Sequence, residues 1–95
     1  MQNLIEELTQ ALQKQLHPTV LTLTDDSADH AGHAGNRGGA HLSLHIVSAE
    51  FEGKLPVARH KMIYAVLDPW MKGPIHALSI QAQTPLEYIS RRTQQ

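Results

Sequence analysis

The chain has 95 residues, no cysteine, and 8 basic against 9 acidic side chains, a formal charge of −1. That length predicts one domain over residues 1–95, burying only ~60–65% of the surface of its unfolded chain, with no room for a deep enclosed active site. The lack of cysteine excludes disulfides, a thiol nucleophile and a cluster held by the chain's own thiolates, and the near-neutral charge gives no global pull toward nucleic acid or membrane.

The opening MQNLIEELTQ holds Glu6 and Glu7 but no arginine, so it reads as neither a signal nor a transit peptide. Leu4, Leu8, Leu12 and Leu16 recur every four residues and predict a helix, with Asn3 and Glu6 as a capping box. His17-Pro18 should end it, because a residue before proline avoids the helical region. Thr19 to Thr24 is β-branched and alternating, a strand. Asp25 to Ala40 is small, polar and glycine-rich, a long loop.

His41 to Ser48 predicts a second strand, with Leu42, Leu44 and Ile46 on one face and His41, Ser43, His45 and Val47 on the other. A turn at Phe51 to Lys54 leads to a helix opened by Pro56, whose apolar stripe is read as Ala58, Met62, Ala65 and Val66. Asp68-Pro69 is expected to break that helix and cap a further short turn, with Gly73-Pro74 ending it. Ile75 to Gln83 is a third strand, in which His76 shares a face with Leu78 and Ile80. Thr84 caps a last helix beginning at Pro85. The order αββααβα predicts an α+β fold, a two-layer sandwich. The first two strands form an antiparallel pair, and the third is reached by a helical crossover and lies parallel to the second.

No nucleophile elbow and no phosphate-binding glycine motif occurs, which argues against an enzyme. No apolar run reaches membrane-spanning length. Small secreted domains often carry disulfides, so their absence favours a reducing compartment, the cytoplasm. Histidine is the unusual residue, with seven in the chain. His30 and His33 lie three apart in the glycine-rich loop, a spacing that is only weak grounds for metal binding. His76 opens the third strand on the face expected to lie under the helices. His41 and His45 point to the other face, so at most His76 and a loop histidine should meet. Two imidazoles leave a metal open, and the remaining ligands must come from outside the chain.

Lys54, Arg59, His60 and Lys61 form a small cationic region at the second helix, with His60 turned away from the apolar stripe together with Tyr64 and Leu67. With a charge near zero, an ordinary solvated face is the stronger reading. A literal GxxG, Gly35 to Gly38, falls between strands rather than helices and reads as loop flexibility.

Three spaced motifs now stand in order: Phe51-Glu52-Gly53, Arg59-His60-Lys61, and a strand beginning His76-Ala77-Leu78, followed by Thr84-Pro85. Over roughly Leu4 to Tyr88 the chain resembles the BolA family. The resemblance implies a class II K-homology-like sandwich. It also implies a partnership with a monothiol glutaredoxin, the two chains sharing a bridging two-iron two-sulfur cluster. The glutaredoxin would supply its cysteine and a bound glutathione thiol. This chain would supply His76 and a loop histidine, His30 by position, with His33 as the alternative. Thiolates on one side and neutral imidazoles on the other are similar to the mixed ligation of Rieske centres. Imidazole ligates only when deprotonated, so assembly is expected to weaken in acid. The family is also described as transcriptional regulators of envelope and stress genes. On that alternative Lys54, Arg59, His60 and Lys61 would face DNA.

Overall fold

The computed structural model describes residues 4–26 and 40–93. The elements are α1 (Leu4–Leu16), β1 (Val20–Asp25), β2 (Ala40–Val47), a 3₁₀ turn (Ala49–Phe51), α2 (Pro56–Met71), β3 (Ile75–Gln83) and α3 (Pro85–Thr93). The strands form one sheet in the order β1-β2-β3, with β1 antiparallel and β3 parallel to β2. This is the expected mixed three-stranded α+β architecture.

The core follows from the two periodicities. Leu8, Leu12 and Leu16 of α1 and Leu42, Leu44 and Ile46 of β2 are all buried, joined by Ile63 and Leu67 of α2. Helices α1 and α2 therefore cover one face of the sheet. Helix α1 stops at Leu16 because His17 turns left-handed at φ 49° ahead of Pro18, its amide still donating to the Gln13 carbonyl at 3.2 Å. The proposed Asn3 cap lies outside the described residues, as do the GxxG and both loop histidines, His30 and His33.

The Ser48-to-Gly53 stretch is a structural joint. Ser48 is fully buried; its hydroxyl donates to the Leu16 carbonyl at 2.5 Å and accepts from the Glu50 amide at 3.0 Å, while its own amide donates to the Gln83 carbonyl at 2.9 Å. One residue thus ties the end of α1, through its side chain, and the end of β3, through its amide, to the end of β2. Phe51 is completely buried in the core. Gly53 sits at φ 75°, a conformation that a Cβ would strain, which accounts for glycine two residues after the phenylalanine.

Helix α2 departs from expectation in two ways. It runs unbroken through Pro69 to Met71. A proline this late removes one amide donor, and the carbonyl it would have bonded belongs to the exposed Ala65. The last turn is held by Trp70, whose indole N–H donates to Glu7 at 3.0 Å. The buried stripe is Arg59, Ile63 and Leu67, not Ala58, Met62, Ala65 and Val66. Met62 and Val66 flank it, and Ala65 faces out. Leu67, expected on the outer face, is wholly buried.

Candidate metal centre

Strand β3 begins with an irregularity that decides where its histidine points. Ala40 pairs with Ile75, but the next residue of β2, His41, pairs with Ala77. His76 is the extra residue of a bulge. Ile75 takes the inward place, 3% exposed. His76 is exposed, whereas strict alternation placed it on the helix-covered face with Leu78 and Ile80. Those two do pack against the core.

The bulge corrects a second expectation. His41, assigned to the face away from His76, lies beside it, with ring centroids 5.0 Å apart and planes at 40°. A nitrogen ligates at about 2.0–2.1 Å, so two imidazoles on one tetrahedral ion have centroids about 5 Å apart. The observed 5.0 Å is an ordinary ring–ring contact distance that also admits two ligands to one ion. His45 stands apart from it. Its Nε2 bonds to Gln83 Oε1 at 2.8 Å and its ring lies 5.5 Å from Tyr88, so it links β2 to the end of β3 and to α3.

Asp26 stands across from His41. Its amide donates to the His41 carbonyl at 2.6 Å, continuing the β1–β2 ladder, and its carboxylate accepts the Ser43 hydroxyl. Asp26, His41, Ala77 and Ser79 line one shallow depression. Among the described residues, no three His, Cys, Asp or Glu side chains are arranged to hold a metal. What the described residues bring together is a pair of neighbouring imidazoles at the end of the sheet, His76 exposed and His41 half-buried, of a side-chain type that suits borderline metals. His30 and His33 fall in the sequence between Asp26 and Ala40, the described residues at the end of β1 and the start of β2.

The cationic region comes apart in the structure. Lys54 and Lys61 are exposed and His60 is half-buried, but Arg59 is only 9% exposed. Its guanidinium donates to the Lys54 carbonyl at 2.8 Å, to the Ala82 carbonyl at 3.1 Å, and to both carboxylate oxygens of Glu87 at 2.7 and 3.0 Å. Arg59 is therefore a fastening between α2, β3 and α3, and is not available to DNA. Sequence reasoning passed over Glu87 in that role, although its position three residues after Thr84 was a signal. The Thr84 amide donates to Glu87 at 2.9 Å and the Glu87 amide to the Thr84 hydroxyl at 3.2 Å, a reciprocal cap. These bonds, that to Arg59 foremost, lower the Glu87 pKa to about 2.

Comparison with known proteins agrees with the motifs. A family model described as BolA-like protein matches residues 12–87. SufE-like protein 1, chloroplastic/mitochondrial, of Arabidopsis thaliana is 45% identical over 86 residues, covering 84% of this chain and 23% of that protein. BolA-like protein 1 of Bos taurus is 40% identical over 77 residues, covering 81% of this chain and 56% of the relative. The chain thus spans about a quarter of the first relative and just over half of the second. The solved structure of BolA1 from Arabidopsis thaliana superposes with a TM-score of 0.80 at 40% identity, covering 92% of this chain and 97% of that one.

Proposed function

The chain belongs to the BolA-like family, and from that premise we propose that it is a non-enzymatic partner of a monothiol glutaredoxin. The two proteins share a bridging two-iron two-sulfur cluster in iron–sulfur or iron homeostasis. The observation that carries this reading is the exposed His76 at the β3 bulge, 5.0 Å from His41 and without enough neighbouring donors among the described residues to close a metal site. Two imidazoles leave a metal's coordination open to ligands from a second molecule. Thiolates suit iron–sulfur clusters, and this chain has none to offer.

His76 is the anchoring ligand. The second imidazole comes from the loop, His30 or its alternative His33, or from His41, which already stands beside His76. The glutaredoxin cysteine and glutathione supply the thiolates. When bound, the cluster brings one-electron chemistry and transferable iron and sulfide. This chain's residues hold its histidine-ligated side and set its environment. In the described residues no helix is long and apolar enough to cross a membrane. The cytoplasm, a reducing compartment, suits such a complex.

The test is reconstitution with a monothiol glutaredoxin, glutathione, iron and sulfide, followed by visible circular dichroism. The wild-type mixture should give a spectrum distinct from that of glutaredoxin alone. His76→Ala should remove that difference while leaving the far-ultraviolet spectrum of the fold intact. A heterocomplex spectrum unchanged by His76→Ala would show that the ligand is elsewhere.

A further inference from the structure

Asp26 has a place in the site that the ligand set does not account for. It follows β1, whose last registered pair is Asp25 with Leu42, and so stands directly across from His41. The 2.6 Å bond from its amide to the His41 carbonyl fixes that opposition. By strand alternation its side chain belongs to the open face, with Thr24 and Thr22, and its carboxylate accepts from Ser43, the residue two beyond His41 on that face. The end of the sheet thus presents one row across three strands: a carboxylate on β1, an imidazole on β2, and the His76 imidazole on β3. The carboxylate is half-buried and borders the same depression as His41.

We propose that Asp26 is a positioning residue for the imidazole pair, acting through His41. Two effects combine. The amide and carboxylate bonds of Asp26 clamp the start of β2 at His41 and Ser43, so that the His41 ring is held against His76. The carboxylate also brings an acidic side chain to the depression that His41 lines, which favours a bound cation there. Partners of this kind, one shell out from the ligands, commonly change metal affinity 10–100-fold. The inference rests on the reading of His76 as a ligand, but it concerns this chain alone and is tested without glutaredoxin.

The probe is Co²⁺, titrated into the full chain and followed by its visible absorption. Wild-type protein should bind, and His76→Ala should abolish the signal. Asp26→Asn keeps the size of the side chain and an acceptor for Ser43 but loses the charge. It should weaken binding about 10–100-fold. Asp26→Glu should recover part of that loss, and Ser43→Ala should shift affinity in the same direction by less. Thermal melts of each variant report folding separately, and the Ser43 and Glu variants keep the test valid should Asp26→Asn melt early. The double variant discriminates positioning from general stability: in a His41→Ala background, Asp26→Asn should cost clearly less than it does alone. The proposal is overturned if Asp26→Asn titrates like wild type, if its loss is undiminished without His41, or if the wild-type chain takes up no Co²⁺. None of these outcomes touches the glutaredoxin reading, which the heterocomplex spectrum of His76→Ala judges independently.

Discussion

Arg59→Ala should destabilise the domain by about 2–4 kcal/mol, read as a lower midpoint in urea. The substitution removes four hydrogen bonds at once, from Arg59 to Lys54, Ala82 and both oxygens of Glu87. It also strips a guanidinium lying 6.0 Å from the centre of the Phe51 ring. A domain of this size holds only about 5–10 kcal/mol in all, so the variant would be marginal at physiological temperature.

The same contact predicts an acid limb. The Glu87 pKa falls from 4.5 to about 2 in the folded protein, chiefly through its bonds to Arg59 and secondarily through the Thr84 amide. A lowered carboxylate contributes stability that is complete above its unfolded value and lost as pH falls through its folded value. Wild-type stability should therefore decline between about pH 4.5 and 2, in part through Glu87. The Glu87 side chain is 47% exposed, so solvent screening makes the loss smaller than the shift alone implies. Urea midpoints measured across that pH range should fall less steeply for Arg59→Ala than for wild type. Parallel slopes would show that the pair does not set the limb.

Phe51→Ala should be at least as damaging, about 3–5 kcal/mol, because a fully buried aromatic ring leaves a cavity that the sheet and helices cannot close. Phe51 is 0% exposed and lies in the core cluster with Leu8, Ile46 and Ile63. It also underlies Arg59, so the two substitutions should not be additive. Combined in one chain, they should cost less than the sum of the singles in chemical denaturation, as the second removes a contact already lost. Strict additivity would mean that the ring and the guanidinium do not support each other.

Much of the architecture was legible because it depends on local rules. The four-residue leucine spacing placed α1, β3 spans Ile75–Gln83 as read, and Thr84-Pro85 opens α3 with the expected cap. Strand directions followed from the long helical connection. What the residues did not disclose depends on contacts between distant segments. Alternation along β3 assumed no extra residue, and only its register against β2 exposes the bulge that turns His76 outward beside His41. Arg59 reads as a surface cation until Glu87, 28 positions on, arrives to neutralise it. Arg59 lies on the buried stripe of α2 with Ile63 and Leu67, one position on from the expected face. Pro69 reads as a break, yet Leu67 and Trp70 on either side are held by packing and by Glu7, which carries the helix past it.

The three family motifs consequently separate by role. Phe51, Gly53 and Arg59 build the frame. His76 alone of the quoted motif histidines occupies the open corner, and its neighbour His41 was visible in the sequence but assigned to the wrong side. The frame matters to the site because β3 carries both: Arg59 holds Ala82 near one end of the strand, and the bulge presents His76 at the other.

The most direct test of the shared-cluster account is to ask whether nitrogen from this chain touches iron. The protein should be prepared with ¹⁵N-histidine, combined with unlabelled glutaredoxin, glutathione, iron and sulfide, reduced, and studied by electron–nuclear double resonance. Histidine nitrogens that report the ¹⁵N label should be strongly coupled in the wild-type complex, and those couplings should be lost in His76→Ala. A reduced cluster showing no coupling to labelled histidine, or the same couplings in His76→Ala, would contradict it.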